Sequence, residues 1–598
     1  MLTLAFTTFT SAQLPPLLPE KDIQSLANEL SGETAKRNLE GLARFHRQRG
    51  SQGFHAAAEL VVERARAYGL SNVEILRFPA DGKIFYGTQR SRPPWDAEEG
   101  ELVELKDGQS VKLASFAAAP IVLAQDSESA DVTTELVDVG NGTKESDYAG
   151  KEVKGKIVLV AAQPGSVQDL AIGKYGAVGV VSYAQNQRTA WWGENDNMIR
   201  WGHLETFSSN PTFGFMVSLK VARGLRERLA KGEIIRLHAS VKAGQHNGFY
   251  EVVTATIPGA DAKLKDEEIA FSCHLDHQRP GANDNASGCV TILETARTLQ
   301  KLIANGTLAR PARTIRFIWP PEIEGSVTIL NARPEFATRI KAVIHMDMVG
   351  GGPETKAVFH VTRGPASLPS FIHDVAWSFA EFANRETYRY AASGEAKYPL
   401  VAPEGGKEPL RAEDSPFSLG SDHEVYQDSS FGIPAIYLND WPDRFIHTNL
   451  DTAANIDPTK LKRAAFIGAA SAYVLANDKR FGQPAVVVAT PASAATGDGK
   501  LVFRRNPAVR GPLTVFGYDY FLDHAKAAGV ATPKLLSYKS ERSDGGLYSY
   551  EALNFVDGKR NAQQIADALS AEFGAVPLEM VVEYLRALEK TGVVMRNA

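Results

Sequence analysis

The chain has 598 residues, 44% of them hydrophobic and 23% charged, with a formal net charge of −5. That length exceeds what one core can serve and predicts three or four domains. The interspersed charges give no electrostatic reason for a nucleic-acid partner, and no apolar run approaches the roughly 20 residues of a membrane span.

Two cysteines, Cys273 and Cys289, exclude a disulfide framework. They are read as small hydrophobes at a strand and at a helix start. Residues 1–19 are a candidate leader: 2–12 is mildly apolar, and Thr10-Ser11-Ala12 offers a cleavage site, although a basic start is missing. The expected location is secreted or periplasmic, with the cytoplasm as the alternative if this stretch is only a frayed terminus.

Residues 23–47 and 52–68 read as helices, the second with Ala57, Leu60, Val61, Ala65 and Tyr68 on one face and Gly69 at its end. Residues 73–78 read as a strand, and 79–116 as turn-rich, with 91–99 at the surface. The segment 20–116 is taken as the first part of a domain that resumes at 246.

Between 117 and 245 the texture changes to short strands at 121–124, 134–139, 156–160, 178–182 and 235–241, with one small helix at 167–174. The stretches VKGKIVLV at 153–160 and YGAVGVVSY at 175–183 resemble the protease-associated domain. The resemblance implies a noncatalytic insertion or lid, with Trp191, Trp192, Trp201 and Phe207 either facing a cleft or forming a loop core.

From 248 the pattern is strand and helix in alternation. Buried strands are expected at 250–257, 268–273, 314–319, 342–346 and 435–438, because these are continuous apolar runs, as in a sheet covered on both faces. Helices are expected at 290–305, 327–331, 367–384 and 458–477. The fold class is therefore α/β, a mostly parallel sheet sandwich over 246–480. A linker at 481–510 and a C-terminal unit at 511–598 follow. That unit, two amphipathic helices and a closing strand, resembles a winged-helix fold. Its second helix mixes Glu579, Glu583 and Glu589 with Arg586 and Lys590, which favours packing over DNA binding.

The chemistry gathers at strand ends. His274 and Asp276 close one strand, and Asp284 follows in PGANDNASG; Glu322 and Glu324 follow the next strand, Asp347 the one after, and His447 and Asp451 the last. In an open α/β sheet the carboxyl edge is where ligands bind. Imidazoles and carboxylates brought there are zinc donors. A ligating imidazole gives its other N–H to an acceptor, and Asp276 is spaced to serve His274.

HLDH with PGANDNASG, the acidic strand end, HMDMVG, SDHEVY and FIHTNLDT, in this order over 250–460, resemble the zinc aminopeptidases of the M28 peptidase family. The resemblance implies one or two zinc ions, with His274 and Asp347 on one, His447 on the other and Asp284 bridging. Asp276 would stand behind His274, and Glu322 would be the general base. The substrate implied is a peptide, cut at its N-terminal residue. That family places two adjacent glutamates after this strand, a base and then a ligand. Here Glu322 is followed by Ile323, whose alkyl side chain cannot bind metal. Either Glu324 reaches in, or Glu322 binds metal, or one ion is weak or absent. His277 and His345 are read as outer or packed histidines, and His423 as either lining the site or structural. The alternatives to an aminopeptidase are a catalytically impaired binding protein on the same frame and another amide chemistry, such as glutaminyl cyclisation.

Overall fold

The computed structural model describes residues 15–106, 108–481, 493–515 and 517–597. Most of the candidate leader and the 482–492 part of the expected linker lie outside the described residues. Eight strands form the main sheet, in the order Ser71–Ala80, Gly248–Ile257, Thr314–Trp319, Glu268–Ser272, Ile340–Asp347, Ala435–Trp441, Val358–Thr362 and Glu413–Ser415. The four from Thr314–Trp319 to Ala435–Trp441 run parallel, so their carboxyl ends share one edge.

Side-chain alternation explains why these strands read as unbroken apolar runs. Val253, Phe271, Phe317, Ile344 and Ile436 point into a core shared with the helices Gln52–Ala67, Gly288–Ala304, Ile372–Ser393 and Pro458–Asn477. Their neighbours Val252, Ala270, Ile318, Val343 and Ala435 point to the opposite face. That face is covered by Glu324–Ala332 and by the C-terminal unit, through Phe503, Tyr548, Leu569 and Leu585. The C-terminal unit is thus the second layer of the sandwich, and burial of its apolar side chains holds it there. Capping fixes where the long helices start: Ser51 Oγ accepts from Phe54 N, and the Asp457 carboxylate accepts from Thr459 N ahead of Pro458.

The chain leaves the main sheet at Ala80 and returns at Gly248, its direct partner across the strand pair. The excursion builds a separate seven-stranded sheet with its own core around Leu102, Leu159, Phe215 and Leu237. This sheet includes Trp95–Lys106 and Gln109–Ser115, so it begins upstream of the expected boundary at 117. Trp95, expected at the surface, is fully buried and donates to Ser127 O.

Other local expectations also change. Residues 23–47 form two helices, Glu20–Glu29 and Gly32–Leu42, because Leu30 and Ser31 turn extended and Ser31 caps the second. Residues 121–124 hold a 3-10 turn, not a strand, since Pro120 starts it and has no N–H for a ladder. Within the expected linker, Val502–Arg505 is a strand paired with Asp557–Asn561 and Val594–Arg596. Among the described residues no helix is long and apolar enough to cross a membrane.

Candidate metal centre

Each functional side chain leaves the carboxyl end of a parallel strand. His274 stands two residues beyond Glu268–Ser272, Glu322 three beyond Thr314–Trp319, and Asp347 ends Ile340–Asp347. His447 follows Ala435–Trp441 in a loop with φ of 60°.

The loop carrying Asp284 is held by its own composition. Asp451 accepts from the backbone N–H groups of Asn283 and Asp284. The Asn285 amide donates to Met346 O while its oxygen accepts from Gly288 N and Met348 N. Asn283 bridges Gly350 N and Asp443. Gly288 is obligatory, because a Cβ there would lie 2.2 Å from Met346 O. From below, buried Arg47 donates to the carbonyls of Leu42, Leu275 and Gly281. Asn283, Asn285 and Ser287 of ANDNASG thus each answer backbone groups that burial would otherwise orphan, which leaves the Asp284 carboxylate to the imidazoles.

Asp284 is the hub. Its Oδ1 lies 3.2 Å from His274 Nε2; its Oδ2 lies 3.0 Å from His447 Nε2 and 3.4 Å from His277 Nε2. His274 Nε2 is also 3.3 Å from Asp347 Oδ1 and 3.8 Å from Glu322 Oε1. Two sets of donors therefore converge, His274–Glu322–Asp347 and His277–Asp284–His447. A tetrahedral zinc with bonds near 2.0–2.1 Å separates its ligand atoms by about 3.3 Å. The observed spacings are the edges of such a polyhedron. His274 Nε2, His277 Nε2 and Asp347 Oδ1 are buried without a hydrogen-bond partner, a cost that a cation would remove. The donors fit zinc in chemistry and in spacing.

The electrostatics agree. Burial alone would drive protons off the imidazoles, yet the carboxylates of Glu322 and Asp347 hold His274 well above its usual range, and Asp284 raises His277. Asp284 is buried too, but three imidazoles hold its carboxyl well below the carboxylate range. Burial, with Asp347, Asp284 and Asp422 facing it, pushes Glu322 well up against the pull of His274. The cluster draws positive charge inward. It opens to solvent at Glu322, with a side chain 15% exposed, and at His447, 19% exposed.

Asp276 is placed differently from its spacing. His274 Nδ1 lies 3.0 Å from the Asp276 carbonyl, while the Asp276 carboxylate is 3.6 Å away and accepts from Glu322 N at 2.6 Å. Asp422 accepts from Ile323 N and Ser326 Oγ. Two carboxylates thus fix the turn that presents Glu322. Ile323, at φ of 58°, turns its side chain into the core and is 2% exposed. Glu324 points away from the donors: Arg92 grips it with two bonds of 2.7 and 2.8 Å, and Tyr250 donates to it at 2.8 Å. His423 stacks on Tyr437 and bonds to Ser418 O, and His345 packs tilted against the same ring and bonds to Ser421 Oγ. Cys273 and Cys289 are buried and free.

Two residues at the site carry no local sequence signal for it. His277 joins the donors instead of standing outside them. Trp201, from the inserted unit, stacks on His447 at 3.8 Å between ring centres and on His277 at 5.0 Å, and its backbone N–H donates to the His447 carbonyl. Trp192 is 82% exposed, and Phe207 packs on Tyr518 and Arg90.

Residues 252–472 match the profile of peptidase family M28. Leucine aminopeptidase 1 of Phaeosphaeria nodorum is 31% identical over 208 residues, 30% of this chain and 51% of that protein. A probable leucine aminopeptidase of Arthroderma benhamiae is 27% identical over 293 residues, 46% of this chain and 72% of that one. The chain spans about half the length of the first curated relatives it matches. Among solved structures, a peptidase M28 precursor of Shewanella amazonensis is 16% identical with a TM-score of 0.53, covering 77% of this chain and 97% of that chain. A zinc aminopeptidase of Bacillus subtilis is 18% identical with a TM-score of 0.51, covering 75% and 96%; these likenesses concern the fold. The stretch that matches peptidase family M28, residues 252–472, is the one whose strand ends carry the two donor sets.

Proposed function

We propose that the chain is a zinc-dependent aminopeptidase, releasing N-terminal residues from peptides. The observation that carries this reading is the convergence on Asp284 of His274, His277 and His447, with Asp347 and the partly open Glu322 beside them. Zinc bound here would polarise the scissile carbonyl and lower the pKa of a water to about 7. Asp284 would bridge, with His274 and Asp347 on one side and His447 on the other. Glu322 would take the proton of the attacking water and return it to the leaving amine. Asp276 and Asp422, by gripping the backbone on either side, keep the Glu322 carboxylate at the donors.

The leucine aminopeptidase names of the relatives suggest an apolar N-terminal side chain. Met348 and Ile446, next in sequence to Asp347 and His447, form a buried apolar cluster with Ala190, the apolar surface proposed to border such a side chain. The inserted sheet is read as a protease-associated-type domain and the C-terminal unit as a winged-helix-type module used for packing. The test is hydrolysis of a chromogenic leucyl anilide. The expected result is activity abolished by a chelator and restored by zinc. Activity indifferent to the chelator would refute the mechanism, and a zinc-loaded protein inert on every aminoacyl anilide would favour a binding role.

A further inference from the structure

His277 is the group that the site geometry uses and the motif does not require. Its side chain is 2% exposed. Its Nδ1 lies 2.6 Å from Gln278 O, so that nitrogen carries the proton and Nε2 keeps its lone pair. Nε2 has no hydrogen-bond partner and points at Asp284 Oδ2, 3.4 Å away. His447 Nε2 meets the same oxygen at 3.0 Å, while the other oxygen of Asp284 faces His274. The carboxylate thus presents one oxygen to each set of donors.

We propose that His277 is the third protein donor of a second divalent-cation position, formed with His447 and Asp284 Oδ2, in a chain whose Ile323 cannot supply one. The proposal rests on the metal-dependent reading above and extends it to two unlike positions. The first combines His274 with the Asp347 and Asp284 carboxylates; the second combines two neutral imidazoles with a share of one carboxylate. The second carries less negative charge and more nitrogen. It therefore fills after the first, and it selects zinc, cobalt or nickel over magnesium. Trp201 lies against both imidazoles of this position and orients His447, whose Nδ1 has no partner.

The test is a titration of chelator-stripped full-length protein with zinc in a calorimeter and with Co(II) followed by its visible absorption. Wild type, His277→Ala and His277→Phe are compared. The phenylalanine keeps a ring against Trp201 and removes the donor, so it answers the question should the alanine variant not fold. The expected result is two ions per chain for wild type and one for the variants, with the second dissociation constant raised more than about 100-fold. Two ions bound with unchanged affinities in His277→Phe would overturn the role of His277 and leave the metal-dependent reading standing. One ion in wild type would do the same. No ion in wild type would overturn both.

Discussion

Glu322 and Glu324 are two residues apart on the same turn, and their surroundings are opposite. Glu324 is fully buried and fully answered: Arg92 grips both oxygens, Tyr250 donates to one, and Arg49 stands 3.9 Å off beside Asp126. Among the described residues Glu322 has no guanidinium or ammonium partner. It faces one imidazole and three carboxylates, and burial with those charges pushes its carboxyl well up. A buried carboxylate matched by guanidinium is structure, because its charge is settled when the chain folds. One matched only by imidazoles, with orphaned nitrogens around it, is a place where charge is still to arrive.

That contrast can be broken most severely at Glu322. Glu322→Gln keeps the shape and removes the base, so the rate on a leucyl anilide should fall about 10²–10⁴-fold, with bound metal per chain unchanged in elemental analysis. A smaller effect would show that another group takes the proton. Glu324→Gln should do the reverse. It leaves Arg92 short of its buried partner, while Arg49 keeps Asp126, so urea denaturation should show a loss of roughly 3–5 kcal/mol, while the folded fraction keeps its metal and its rate per site.

Trp201→Leu removes a ring from two donors without touching Asp284. The stacking is worth about 0.5–1.5 kcal/mol, so affinity for the second ion should weaken by a few-fold to about tenfold in a zinc titration, with the first ion unaffected. A subtler contrast lies at the contact of the C-terminal unit, where Glu551 and Glu572 face each other and accept from Ser367 and Ala366. Burial and the neighbouring Glu551 push Glu572 from 4.5 to about 9. The folded state therefore holds a proton that the unfolded chain has released. This contribution is complete below about pH 4.5, falls as pH rises, and is gone above about 9. Melting curves across this range should show Glu572→Gln flattening the decline, with wild type and variant diverging most on the alkaline side.

Much of the frame was legible because each central strand is apolar on both faces. Thr314–Trp319 and Pro458–Asn477 have the bounds their sequences suggest. Val358–Thr362 escaped because it is half-buried in alternation near the sheet edge, and Trp95–Lys106 because its acidic residues disguise a strand with one wet face. Strand ends placed His274, Asp284, Asp347 and His447 among the candidates together with Asp276, Glu324 and Asp451, and only the family resemblance singled out these four; parallel topology brings them to one edge. His277 was not singled out, because a second histidine three residues on is ordinary in a loop. Only the missing donor at Ile323 argued for a substitute. Trp201 lies some 250 residues from His447 in the chain, and nothing local announces that the inserted unit returns to cover the site. Asp276 was spaced correctly, but its carboxylate serves the Glu322 backbone, a choice made by the turn geometry.

The most direct test of the account is zinc-edge anomalous diffraction from crystals of the full chain grown with zinc. Two peaks should flank Asp284, one about 2 Å from His274 Nε2 and the other about 2 Å from His447 Nε2, with none near Glu324. Anomalous density only elsewhere on the molecule, with none within bonding reach of Asp284, would contradict it.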